Sequence, residues 1–287
     1  MTVNNYFTPD SLEEALKLKA SYGYDLHVIA GGTLLMPQIN EGLFFPETVM
    51  GLRNAGMDTM FPSTSSGNGA SVIGATATMS QMVEQIRYPI LQEAAHSIGG
   101  WAVRNMATVG GNLFNRPPYG DFCVALLAVD AKVKIQSASA ERVVDLNAFM
   151  TGGRQLEANE LVTEIQIPNH SGQAAFKKFG PRQGSAATIV SVAANIDAVD
   201  GVVNVARVAL GGADTTARRS PEAEAVLNNA PFWPKEKAEA LAAEAAAAAA
   251  AASDPISNAV ASTWYRRRMI EVQLRQLLSE LLGSFSD

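Results

Sequence analysis

Near the N-terminus the apolar positions change period. Leu12, Ala15, Leu16 and Leu18 recur at helical spacing behind Pro9-Asp10-Ser11 and the acids Glu13 and Glu14, which predicts a helix through about Ser21. His27 to Ala30 is then a short apolar burst closed by Gly31-Gly32, as in a buried strand that ends in a glycine turn. A second burst, Val72 to Ala75, follows the Ser/Gly-rich loop Pro62 to Gly69, and Met79 to Ala95 predicts one or two helices interrupted at Pro89. Val124 to Ala128 is an apolar helix or turn, while Lys132 to Gln136 and Glu164 to Pro168 alternate polar and apolar residues as half-buried strands do. A third set of strands is expected at Ala174 to Phe179, Ile189 to Ala198 and Val202 to Leu210, antiparallel, with Asp200-Gly201 as a hairpin turn. From Lys235 the composition shifts to an alanine tract, read as a surface-packed helix because alanine maximises propensity but gives too little burial energy for a membrane helix. A last helix is expected from Ala259 to Leu282, with Tyr265, Met269, Val272, Leu278 and Leu282 among its apolar positions and Arg266-Arg267-Arg268 at its head. The pattern is α+β, with a domain boundary near Pro168 to Lys177.

Composition narrows the function. A length of 287 residues fits two domains, and 47% hydrophobic with 17% charged residues is ordinary globular usage. Twenty-eight acids against 22 lysines and arginines give a net charge of -6, which argues against nucleic-acid binding, since neutralising phosphates needs a basic face. Cys123 is the only cysteine, so the chain can form no internal disulfide and cannot by itself hold an iron-sulfur cluster, which takes four thiolates. The N-terminus lacks a charged region followed by an apolar one, no membrane span is expected, and a cytoplasmic location is the default.

The usual catalytic signatures are missing. There is no G-x-S-x-G, no G-x-x-x-x-G-K-[ST] and no G-x-G-x-x-G after a strand. His27, His96 and His170 lie far apart and have no metal-ligand spacing, so no metal site is expected. Two glycine turns remain: Ala30-Gly31-Gly32-Thr33-Leu34-Leu35 and Thr108-Val109-Gly110-Gly111-Asn112. Paired glycines after an apolar run let the backbone approach a ligand and aim successive amides at one point, which suits a pyrophosphate. A purely structural turn is the alternative for each.

The order of these motifs resembles the flavin subunit of molybdenum hydroxylases, the medium subunit of the xanthine dehydrogenase and carbon monoxide dehydrogenase family. There an A-G-G-x-x-L turn is followed by T-[IV]-G-G-N, a small loop with an aspartate, and an apolar helix. Here those are Ala30 to Leu35, Thr108 to Asn112, Asp121 and Val124 to Ala128, and the likeness covers nearly the whole chain. It implies an FAD-binding fold of the p-cresol methylhydroxylase / vanillyl-alcohol oxidase type. That fold has two α+β subdomains, followed by a smaller C-terminal α/β domain with a three-stranded antiparallel sheet and helices. The implied domains are residues 1–176, with subdomains about 1–57 and 58–176, and residues 177–287.

By the same resemblance, both glycine loops put their amides on the FAD pyrophosphate, with Asn112 near the ribityl or phosphate groups. Asp121 accepts from a hydroxyl of the adenosine part, its structural alternative being a helix N-cap. Val162 and Lys177 touch the flavin from the domain junction. Lys177 would stabilise the anionic reduced form by Coulomb attraction, or else be an exposed lysine on an edge strand. Ile98 lies against the flavin or belongs to the core. No residue is assigned a catalytic role.

The implied function is an FAD-binding electron-transfer subunit. Its partners would be a large molybdenum-pterin subunit and a small subunit with two [2Fe-2S] clusters, in a dimer of heterotrimers that serves an external acceptor: NAD, a quinone, a cytochrome or oxygen. A stand-alone flavin oxidase of the vanillyl-alcohol type and a flavin-free interaction module are the alternatives. Leu34 departs from the polar or acidic residue of many relatives, and Phe114 to Gly120 replaces their small Ala/Ser-rich loop.

Overall fold

The computed structural model describes residues 3–61, 70–116, 118–169, 171–182 and 184–285. The Ser/Gly-rich loop Pro62 to Gly69, Pro117 and His170 lie outside the described residues.

The chain opens with β1 (Asn5–Phe7) and α1 (Leu12–Tyr22), whose Ser11 side chain caps the helix by accepting from the Glu14 amide. Next come β2 (Leu26–Ile29), the short α2 (Leu35–Asn40), β3 (Thr48–Gly51), β4 (Met60–Phe61) and β5 (Ser71–Gly74). The helical stretch around Pro89 is two helices, α3 (Met79–Gln85) and α4 (Pro89–His96), because proline is accepted at the first turn of a helix but not in its interior. After α5 (Trp101–Arg104), the second glycine motif folds as α6 (Val109–Leu113) and the apolar run beyond it as α7 (Asp121–Ala128). Then follow β6 (Lys132–Gln136), β7 (Glu141–Asp145), α8 (Leu146–Thr151) and β8 (Leu161–Ile167). The C-terminal part contains β9 (Gln173–Phe179), β10 (Val190–Val199), β11 (Val202–Gly211), β12 (Arg218–Arg219), α9 (Pro221–Leu227), α10 (Lys235–Ala251) and α11 (Thr263–Ser284).

Two compact units result, and the chain passes between them more than once. The first comprises residues 1–82, 100–115 and 131–169; the second comprises 83–99, 116–130 and 170–287.

In the first unit β1, β3 and β2 form a three-stranded parallel sheet in that order. The apolar face of α1 supplies Ala15 and Leu16 to a core with Leu26, Met50, Leu52, Ala55, Met57 and Leu161. The second sheet of this unit is antiparallel, in the order β4-β5-β8-β6-β7, with β8 at its centre. Its alternation of buried and half-exposed positions is what the period-two pattern of Lys132 to Gln136 requires.

The second unit is built on an antiparallel sheet in the order β12-β11-β10-β9. The expected sheet had three strands; the fourth is the two-residue β12, which pairs Arg218 with Leu210 and Arg219 with Ala209. Asp200 and Gly201 both take positive φ, 52° and 75°, as the tight hairpin between β10 and β11 demands. One sheet face buries Val190, Val192, Ala194 and Ile196 against α10 and α11. The alanine tract of α10 buries Ala242, Ala245, Ala246 and Ala249, small side chains that let it pack closely against α11. The other face carries α4 and α7. The last helix begins later than its apolar pattern predicts: Ser262 is its N-cap, accepting from the Tyr265 amide, so Ala259 to Ala261 lie outside it. Among the described residues no helix is long and apolar enough to cross a membrane, and no group of histidine, cysteine and acidic side chains could hold a metal.

Candidate functional site

The first glycine motif closes β2 and opens α2, and its backbone is unusually free. The Ala30 to Leu35 segment takes a left-handed turn at Gly32, φ 68°, before α2 starts at Leu35. No acceptor among the described residues receives the amides of Gly31 through Leu35. Its first intrachain donor is Met36, whose amide reaches the Gly32 carbonyl. These are five successive N–H groups without an acceptor among the described residues, with Gly31 and Gly32 half-buried, a run of donors of the kind an anionic group takes. Thr33 and Leu34 are exposed, so the motif offers backbone rather than side chains.

The second motif spends its amides internally. Val109 donates to the Ala77 carbonyl, Gly110 to the Ala75 carbonyl at 2.8 Å, and Asn112 to the Thr108 carbonyl. The Gly111 amide donates to the Thr108 hydroxyl at 3.1 Å, which makes Thr108 the N-cap of α6. Both loops were expected to aim their amides at one pyrophosphate; in the second, the amides of Val109 to Asn112 are bonded within the chain, two to the Ala75–Ala77 backbone and two to Thr108. Its glycines answer a packing demand instead. A Cβ on Gly110 would lie 2.9 Å from both the Ala75 side chain and its carbonyl oxygen. Gly111 is exposed, and a Cβ there would meet only the Thr108 hydroxyl, so its Cα presents an open surface. Asn112 is buried and hydrogen-bonded.

The fold brings the two motifs into contact within the first unit. A Cβ added to Gly31 would sit 1.7 Å from the Met106 carbonyl oxygen and 3.1 Å from the Ala107 Cα, so the first loop rests directly on the backbone that leads into Thr108. No residue but glycine fits there. Arg154, at φ 56°, fastens the far side by donating to the carbonyls of Leu113, at 3.2 Å, and Asn115, at 2.9 Å. Phe114 stacks edge-on against Phe149. Nothing in the sequence pattern singles out Arg154. Val162, also in this unit, is buried in β8 opposite Ile135, next to a register shift in β6.

In the second unit Ile98 is half-buried just beyond α4. Asp121 is 4% exposed and is the first residue of α7; the N-cap is Gly120, φ 107°, so the expected structural alternative of Asp121 as N-cap does not hold. Its carboxylate Oδ2 lies 2.9 Å from Lys178 Nζ, and Thr188 Oγ1 lies 2.8 Å from Oδ2 and 3.1 Å from Oδ1. Lys178 also donates to the Ser97 carbonyl at 3.0 Å, tying the segment before Ile98 to Asp121. Lys177 turns the other way. Its Nζ pairs with Glu280 of α11 at 2.5 Å, because neighbouring strand residues point to opposite faces of a sheet. Lys178 and Thr188 escaped the sequence reading: side-chain direction in β9 depends on register, and Thr188 carries no motif.

The fully buried Arg266 of α11 holds the segment after Thr188. Its guanidinium donates to the carbonyls of Ile189 and Ile256 and to Asn258 Oδ1, and burial pushes it below its ordinary pKa.

This chain is similar to known proteins over nearly its whole length. Residues 2–170 match the family model of the FAD binding domain in molybdopterin dehydrogenase, and residues 174–281 match that of the CO dehydrogenase flavoprotein C-terminal domain. It is 32% identical over 286 residues to the 6-hydroxypseudooxynicotine dehydrogenase complex subunit alpha of Paenarthrobacter nicotinovorans, covering 97% of this chain and 94% of that one. It is 30% identical to the nicotine 6-hydroxylase medium subunit of the same organism, covering 96% of each. Among solved structures, a chain of quinoline 2-oxidoreductase from Pseudomonas putida 86 superposes with a TM-score of 0.87 at 25% identity, covering 99% of this chain and 98% of that one. A chain of carbon monoxide dehydrogenase from Hydrogenophaga pseudoflava gives 0.87 at 27% identity, covering 98% of both.

Proposed function

Because the chain belongs to the molybdopterin dehydrogenase flavoprotein family, we propose that it collects electrons from a small subunit with two [2Fe-2S] clusters and delivers them to an external acceptor. The substrate would be hydroxylated on a large molybdenum-pterin subunit, in a dimer of heterotrimers. As a family member the chain is an FAD-binding oxidoreductase subunit, and bound FAD supplies reversible electron transfer. The relatives' descriptions as complex and medium subunits support the reading that partner chains are required. A cytoplasmic location, and functional domains of 1–176 and 177–287, are carried as part of the proposal.

The single observation that carries the reading is the row of unpaired amides from Gly31 to Leu35 seated on the Met106–Ala107 backbone. These residues fit a diphosphate. The amides would hold it, Gly32 would supply the left-handed turn, and the exposed Gly111 would let the cofactor approach the second loop through its bare Cα. Val109, Gly110 and Asn112, whose amides are bonded within the chain, and Thr108, which caps α6, would keep that loop in shape. Asp121 would accept from an adenosine hydroxyl, with Ile98 and Val162 as apolar contacts. Lys177 enters with its charge offset by Glu280, so its Coulombic effect on a reduced flavin is weakened by an opposite charge.

The test is spectroscopic. The purified full chain, incubated with FAD and desalted, is expected to keep the visible absorption of bound flavin, and Gly111→Val is expected to lose it while melting near the wild-type temperature. A colourless wild-type protein would sink the reading, and full occupancy in Gly111→Val would remove the second loop from it.

A further inference from the structure

The Asp121 carboxylate is held asymmetrically, and the asymmetry gives its two oxygens different tasks. Oδ2 takes the Lys178 ammonium at 2.9 Å and the Thr188 hydroxyl at 2.8 Å. Among the described residues the one hydrogen bond to Oδ1 comes from the same hydroxyl, at 3.1 Å. A threonine hydroxyl carries one proton and gives it to one oxygen at a time; the nearer oxygen is Oδ2. Oδ2 is thereby supplied with donors and Oδ1 is left short of one, on a carboxylate that is 4% exposed. A buried carboxylate oxygen without a full complement of donors is costly, and a ligand hydroxyl would relieve it.

The donor that sets this arrangement is buried beside a tightly held backbone. Thr188 is 1% exposed. The next residue, Ile189, is pinned from both sides: its amide donates to the Phe179 carbonyl at 2.8 Å, and its carbonyl accepts from the buried Arg266 guanidinium. Lys178 is held in turn by the Ser97 carbonyl. The carboxylate plane of Asp121 is thus fixed from β9, from the start of β10 and, through Ile189, from α11.

We infer that Thr188 is a positioning residue for flavin binding: its hydroxyl, with Lys178, anchors Asp121 through Oδ2 and keeps Oδ1 as the acceptor for a cofactor hydroxyl. This rests on the proposed FAD-binding role of Asp121. Thr188→Val removes the hydroxyl at nearly constant volume and lets the carboxylate turn about its own axis; Thr188→Ser keeps the donor.

The test titrates the purified full chain with FAD, following flavin fluorescence, for wild type, Thr188→Val, Thr188→Ser and Asp121→Asn, with the melting temperature of each apoprotein recorded alongside. Thr188→Val is expected to weaken FAD binding about ten-fold, the worth of roughly one hydrogen bond to a charged group. Thr188→Ser should stay within about two-fold of wild type, and Asp121→Asn should lose at least as much as Thr188→Val. An unchanged affinity in Thr188→Val overturns the inference, as does an equal loss in Thr188→Ser, or an Asp121→Asn chain that binds like wild type. A loss of affinity in Thr188→Val that merely tracks a lowered melting temperature, with no rescue by serine, overturns it too. If the wild type itself takes up no FAD, the proposed function falls and the positioning role falls with it, a result distinct from all the others.

Discussion

The two glycine motifs look alike on paper and do opposite things with their backbones. In Ala30 to Leu35 the amides of Gly31 through Leu35 have no acceptor among the described residues, whereas in Thr108 to Asn112 every amide from Val109 to Asn112 is already bonded within the chain. The first motif follows β2 and leads into α2, whose first-turn amides have no intrahelical acceptor and whose N-cap, Leu34, has no side chain that can cap them. The second begins with a threonine that caps its helix and sits against the Ala75–Ala77 backbone, which takes the remaining donors. Paired glycines therefore signal close backbone approach and no more; whether the approach is to a ligand or to the protein depends on what surrounds them.

Four substitutions would break or sharpen this contrast. The largest effect is expected from Gly31→Ala, since its Cβ would stand 1.7 Å from a carbonyl oxygen that cannot give way without moving the second loop. Destabilisation at or above the ~1–3 kcal/mol typical of overpacked sites is expected, with loss of retained FAD, read by thermal melting and by absorbance. Gly110→Ala should cost roughly 1–3 kcal/mol by the same measurement, as both 2.9 Å contacts are with Ala75, whose backbone is fixed in place. Thr108→Val removes the cap of α6 and releases the Gly111 amide; a loss of about 1 kcal/mol is expected in denaturant unfolding. Thr33→Ala is expected to change stability by less than about 0.5 kcal/mol and to leave FAD retention intact, because that loop works through its backbone. A Thr33→Ala chain that loses its flavin would show that a side chain, and not the row of amides, does the holding.

Much of the fold was legible in residue order. The helix behind Ser11, the strands at Lys132 to Gln136 and β9 to β11, the Asp200-Gly201 turn and the alanine helix all follow from period, capping and turn chemistry. The misreadings share one cause, which is tertiary context. The start of α11 was set by Ser262 rather than by the apolar residues before it, and β12 exists only because Arg218 and Arg219 meet the edge of β11. In the site, both glycine motifs could be singled out from the residues and Asp121 from the family resemblance, but Arg154, Lys178 and Thr188 could not. Their roles depend on chain segments 39 to 81 residues away in sequence, a separation at which no local pattern operates.

Adjacent lysines in β9 mark the dividing line. The sequence by itself determined that Lys177 and Lys178 lie on a strand, and that one of them faces each side of the sheet, because side chains alternate along a strand. Only the tertiary structure decided which: hydrogen-bond register with β10 places Lys178 beside Asp121 and turns Lys177 to Glu280. The same division holds for the glycines. Composition and order determined that the backbone must come close to something at Gly31, Gly110 and Gly111. The packing of Gly31 on Met106 and of Gly110 on Ala75 decided which of those approaches the protein fills itself, and which it leaves open.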